Sequence, residues 1–203
     1  MIIDPNEQTV KDNYRLMIGS ILPRPIAFVS TLSKDGIPNL APFSFFTGVC
    51  ARPPTLLFVP ALRGYDSQPK DTLVNIRDTG EFVVNIVSRD FAEQMVLCAT
   101  DYDPEVNEFD IARLTPTPSQ KVTPPRVGEA KVSFECQLEQ LIPVCTGNAE
   151  LVLGRIVLFH VAEEVYIDGR IHVEALHPIG RLGGHEYTTV KDTFQIIRKI
   201  KPD

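Results

Sequence analysis

Residues 131–139 read Lys-Val-Ser-Phe-Glu-Cys-Gln-Leu-Glu, and that alternation decides the fold class. Side chains on a strand repeat every two residues. Val132, Phe134, Cys136 and Leu138 therefore share one face, and Lys131, Ser133, Glu135, Gln137 and Glu139 share the other. One dry and one wet face describe an antiparallel sheet packed on a single side, and they disfavour a doubly wound parallel sheet. Downstream, residues 149–161 run almost continuously apolar, as a strand covered on both sides would. Upstream, residues 25–32, 37–47, 54–61 and 81–87 are predicted strands, rich in β-branched and aromatic residues. Ser33-Lys34-Asp35-Gly36 joins the first two, with Gly36 supplying the positive φ of a hairpin turn.

Helices are fewer. Residues 69–79 follow Ser67, open on Pro69 and stop at Gly80. Residues 89–99 place Phe91, Met95 and Cys98 on one helical stripe, and a first helix is predicted over 7–18. Seventeen prolines cluster between these elements, marking a fold of many short pieces. The stretch 112–127 is predicted as a surface loop. The expected architecture is mainly β with helices (α+β), a closed antiparallel barrel decorated by helices, within one domain spanning residues 1–203.

Composition narrows the function. Twenty-six acidic against 20 basic residues give a net charge of −6, which argues against nucleic acid as a partner. No apolar run of bilayer length and no secretory leader pattern is present, so a soluble, cytoplasmic protein with no membrane partner is expected. Cys50, Cys98, Cys136 and Cys145 lack metal-ligand spacing, as do the four histidines, so no metal is predicted and buried free thiols are expected. Cys136 and Cys145 could meet across a hairpin. Asp101, Asp103, Glu105 and Glu108 read as a solvated acidic loop.

No nucleophile elbow, phosphate-binding glycine loop or dinucleotide fingerprint occurs. A chain without such groups can carry its chemistry in a bound cofactor, and three segments resemble parts of a cradle. Arg24 precedes a strand ending in Ser30 and Thr31. Asn39-Leu-Ala-Pro-Phe-Ser-Phe-Phe46 sets an amide, the Ser44 hydroxyl and the rings of Phe43, Phe45 and Phe46 on a strand interrupted by Pro42. Lys70, Asp71 and Thr72 stand at a helix start, where unpaired N–H groups suit a phosphate. Each feature has a structural reading as well: turn-forming hydroxyls, core aromatics and an ordinary helix start.

Together these blocks resemble the flavin reductase-like family of FMN-binding split barrels. The matching residues are Arg24-Pro-Ile-Ala-Phe-Val-Ser-Thr31, Asp35-Gly36, Asn39 to Phe46, Pro53-Pro54, Lys70-Asp-Thr72 and Glu81-Phe-Val-Val-Asn85. Pro178-Ile-Gly-Arg-Leu-Gly-Gly184 with Tyr187 is similar to the family's ending. The resemblance implies an antiparallel split β-barrel in which Ser30, Thr31, Ser44, Lys70 and Thr72 surround FMN, with the backbone at Phe45 and Phe46 meeting the ring. It also implies roles for Arg24 at the phosphate and for His177, Arg181, Gly183 and Tyr187 in a closing C-terminal segment. The activity implied is NAD(P)H-dependent flavin reduction by a homodimer with FMN near the subunit interface, passing electrons to a monooxygenase or other redox partner. A flavoredoxin-like electron carrier and a flavin-binding barrel without turnover are the alternatives.

Overall fold

The computed structural model describes residues 1–64, 66–144 and 149–197. The chain opens with α1 (Val10–Ser20), capped by Thr9, whose hydroxyl accepts the Asp12 N–H at 3.1 Å. That helix begins later than the sequence predicts, because Pro5–Glu7 form a separate 3-10 turn. Next come β1 (Ala27–Leu32), β2 (Pro38–Phe43), β3 (Phe46–Ala51), β4 (Pro54–Phe58), α2 (Asp71–Thr79) and β5 (Glu81–Ile86). They are followed by α3 (Ala92–Leu97), α4 (Glu108–Ala112), β6 (Pro116–Thr117), β7 (Arg126–Val127), β8 (Val132–Val144) and β9 (Ala149–Val161). The chain continues through β10 (Tyr166–Ile167), β11 (Arg170–Ile171), α5 (Val173–Leu176), β12 (Ile179–Arg181) and β13 (Tyr187–Thr189).

Seven strands form one antiparallel sheet in the order β2-β1-β5-β8-β9-β4-β3. The sheet wraps on itself. Phe43 on edge strand β2 packs against Phe58 on β4, with ring centroids 5.2 Å apart, and Phe58 meets Phe82 on β5 at 5.6 Å. Leu73 and Ile76 of α2 are buried in the same core. A second core, on the other face of β1, joins Phe28 and Leu40 to Phe91, Met95 and Phe109. Gly154 on β9 lies directly beneath Phe82, where a Cβ would stand 2.2 Å from the ring. Gly36 turns the first hairpin at φ 85°, as the sequence predicts.

The barrel is split rather than closed: β2 and β3 are the sheet's two edges. The β2 edge is blunted chemically. In an antiparallel strand every second residue points its amide away from the partner. The outward positions here are Pro38, Leu40 and Pro42, and two of the three have no N–H to offer. The break in the predicted 37–47 strand falls at Ser44 and Phe45, beyond Pro42.

Four expectations are corrected by packing. Ser133 and Glu135, on the predicted wet face of β8, are buried. The 112–127 stretch covers them: Glu135 accepts the N–H groups of Gln120, Lys121 and Val122 at 2.7, 2.5 and 3.2 Å, and contacts His160 Nε2 at 2.5 Å. That stretch is accordingly a pinned segment with its own β6–β7 pair. Strand β9, predicted to be covered on both faces, leaves Phe159 half exposed at 51%. Residues 89–99 form a 3-10 turn, Arg89–Phe91, before the shorter α3.

The thiols divide. Cys98 and Cys136 are buried and unpaired, and burial pushes the Cys98 thiol up to about 12 and Cys136 higher still. Cys50 is free and exposed, against expectation, whereas Cys145 lies outside the described residues. Among the described residues, no helix is long and apolar enough to cross a membrane.

Candidate functional site

Two cavities meet over the β2 edge. The wider, about 330 Å³, is lined by Tyr14, Ile18, Arg24, Ser44, Met95, Arg181 and Tyr187. The narrower, about 30 Å³, is lined by Asn39, Arg63, Lys70, Asp71, Thr72, Asp101 and Glu108. Pro42, Phe43 and Ala99 belong to both, so the two form one groove with an apolar floor between polar ends.

At the narrow end, the start of α2 packs on β1 and β2. Asn39 donates to the hydroxyls of Thr31 at 3.1 Å and Thr72 at 2.9 Å, and Asn75 donates to Thr31 at 3.0 Å. This knot is buried and fixes the first turn of α2. Lys70 is the N-cap and gives the helix no side-chain capping bond; its ammonium pairs instead with Asp101 Oδ1. Asp101 Oδ2 also accepts the Gly64 N–H at 3.3 Å. Burial raises the Asp101 carboxyl, but Lys70 and the Gly64 amide outweigh it and hold the group below the usual range. Arg63 reaches Asp66 at 3.2 Å and Asp71 at 3.9 Å. Burial raises the Asp71 carboxyl against the pull of Arg63 and Lys70.

Glu108 underlies the same end. It is only 6% exposed, and its Oε2 accepts the outward N–H of Leu40 at 3.0 Å. Burial raises its carboxyl to about 7, with the Leu40 amide opposing and the Asp71 charge adding. The predicted solvated acidic loop is thus corrected at two of its members: Asp101 pairs with Lys70, and Glu108 is enclosed. A local signal for Glu108 existed, since Asn107 caps α4 through the Phe109 N–H at 3.1 Å and so sets Glu108, Phe109 and Ala112 on its inner face. Asp101 carries no comparable signal.

The wide end is organised by Arg24, which is 4% exposed. Its guanidinium donates to Ile18 O at 2.6 Å, Ile21 O at 3.2 Å, Leu182 O at 2.9 Å and Ser44 Oγ at 3.3 Å. It ties the end of α1 to the β12–β13 turn, which makes it a clamp on the groove wall more than a free anion partner. Arg181 lies over the Tyr187 ring at 4.6 Å from its centroid and donates to the Tyr187 hydroxyl and to Gly184 O.

Some predicted site residues face elsewhere. Ser30 and Thr31 are adjacent on a strand and point to opposite faces: Ser30 donates to Pro125 O at 2.5 Å, on the far side from Thr72. The Phe45 carbonyl accepts from Val59 N–H at 3.0 Å, and Phe46 turns to an outer apolar hollow shared with Phe134 and Phe159. His177 lies 3.5 Å from Asp90 and does not line the groove. Gly183 is in the β12–β13 turn, where its carbonyl accepts the Glu186 N–H at 3.1 Å.

Residues 18–175 match the model of the flavin reductase-like domain. The chain belongs to the flavin reductase-like family. A Halalkalibacterium halodurans protein is 41% identical over 202 residues, covering 98% of this chain and 96% of its own. The structure of nitrilotriacetate monooxygenase component B from Bacillus cereus superposes with a TM-score of 0.92 at 42% identity, covering 97% of this chain and 98% of that one. A split-barrel domain from Shewanella frigidimarina has a TM-score of 0.85 at 22% identity over 98% of this chain and all of its own, a likeness of fold. Membership makes this a flavin-binding, oxidoreductase-type protein.

Proposed function

We propose that the groove holds FMN and that the chain is an NAD(P)H-dependent flavin reductase acting as one domain. The observation that carries this reading is the continuity of the groove. A lysine and an uncapped helix start lie at one end, an apolar floor at Pro42 and Phe43 lies in the middle, and an arginine–tyrosine stack lies at the other. That donor set fits an anionic, planar, polar-edged ligand. Lys70 and the first turn of α2 receive the phosphate, with the Thr31–Asn39–Thr72 knot keeping that turn rigid. Asp71 counters their charge. Ser44, held by Arg24, and the Arg181–Tyr187 pair border the ring.

Bound FMN supplies the hydride-accepting chemistry that the side chains lack. The protein positions the rings, keeps water from the floor and presents donors where negative charge develops.

An open apolar hollow beside β9 favours a homodimer. Val132, Phe134, Phe159, Val161, Tyr166 and Ile171 line an open hollow of about 480 Å³, and α1 buries none of its residues. The Bacillus cereus protein is one component of a monooxygenase by its description, and on that analogy a second protein accepts the electrons. Unpaired cysteines suit a reducing cytoplasm.

The test is the visible spectrum of the protein with FMN, before and after NADH or NADPH. Bleaching by either nucleotide supports the reductase; bleaching by dithionite alone points to a carrier; and failure to bind FMN rejects the reading.

A further inference from the structure

The narrow end of the groove already contains an anion. The cavity there is small, about 30 Å³ against about 330 Å³ at the wide end. Asp101 lines it, and its two carboxylate oxygens engage Lys70 and the Gly64 N–H. These are an ammonium and a main-chain amide, the donor types that bind a phosphoryl oxygen. Asp101 lies on the irregular segment between α3 and α4, so its side chain can leave without breaking a helix or a ladder. Arg63 is turned toward Asp66 and Asp71.

We infer that Asp101 is an internal competitor for the ligand's phosphate at Lys70, and that it makes the flavin exchangeable instead of permanently held. The inference rests on the reading that the groove takes FMN. When the phosphate enters, the carboxylate must give up Lys70 and swing toward solvent, and any that remains nearby repels the dianion. Asp101 therefore weakens recognition of the phosphate specifically and leaves the ring's contacts untouched.

The experiment compares FMN with riboflavin, which lacks the phosphate, in fluorescence titrations of the wild type, Asp101→Asn and Asp101→Glu. The asparagine keeps an acceptor for Gly64 but loses the charge. Asp101→Asn is expected to tighten FMN binding by about three- to tenfold, the size of a partly exposed ion pair. Riboflavin affinity should stay within twofold, roughly the error of such a comparison, and Asp101→Glu should stay near the wild type for both ligands. Unchanged or weaker FMN binding by Asp101→Asn, in a wild type that binds FMN, overturns the competitor and leaves the groove reading intact. Equal tightening of FMN and riboflavin also overturns it, since the effect then comes from the loop and not from charge. If the wild type binds neither flavin, the groove reading falls and the competitor with it.

Discussion

Glu108 Oε2 accepts the main-chain N–H of Leu40 at 3.0 Å, so a side chain from α4 terminates the one amide that the β2 edge presents between Pro38 and Pro42. The bond matters because it places an ionisable group in a dry position beneath the groove.

A carboxyl raised to about 7 in the folded protein binds its proton more tightly there than in the unfolded chain. Its favourable contribution is whole below the ordinary carboxyl range and disappears as pH climbs through about 7. The span from the ordinary 4.5 corresponds to roughly 3 kcal/mol, an upper figure. Glu108→Gln keeps an acceptor for Leu40 and cannot ionise. Thermal melts at pH 5 and pH 8 should show the variant gaining on the wild type as pH rises; a constant difference would mean that Glu108 titrates normally.

Arg24 holds three carbonyls from two separate segments, and removing it takes away the donor that ties those segments together. Arg24→Ala should cost about 2–4 kcal/mol and raise hydrogen exchange in α1 and the β12–β13 turn together. Arg24→Lys should rescue little, since a single ammonium cannot replace the planar fork. Exchange that rises in α1 alone would refute the clamp.

The outer face of β9 supplies a third expectation. Phe134 and Phe159 stack edge to face at 5.3 Å, with Phe159 open to solvent in the single chain. Phe159→Asp should convert a sedimenting dimer to a monomer while leaving the melting of the single chain nearly unchanged. A wild type that sediments as a monomer contradicts the proposed interface.

Much of the framework was legible locally. The strand over 131–139, the Gly36 turn and the helix that Gly80 ends all depend on neighbours within a few residues, and the structure contains each, the helix starting at Asp71 and not at Pro69. The rest depends on partners far away in the chain. Ser133 and Glu135 are polar, and nothing near them in the sequence says that residues 120–122 fold back to bind them. Asp101 meets Lys70 and Glu108 meets Leu40 across long separations that periodicity does not encode. Ser30 is a different case: strand alternation alone puts it on the opposite face from Thr31, so the two cannot line the same wall of the groove. Of the proposed flavin contacts, the structure gathers Thr31, Asn39, Lys70, Asp71 and Thr72 at one end of the groove and Arg24, Ser44, Arg181 and Tyr187 at the other.

In the proposed function, Lys70 receives the phosphate of a flavin in this groove. FMN titrated into wild type and Lys70→Ala, beside melts of both apoproteins, tests it most directly. FMN affinity should fall about tenfold in the variant, as for loss of a charge-assisted contact, with the apoprotein's melting temperature almost unmoved. Equal affinity in the two proteins would place the phosphate away from Lys70.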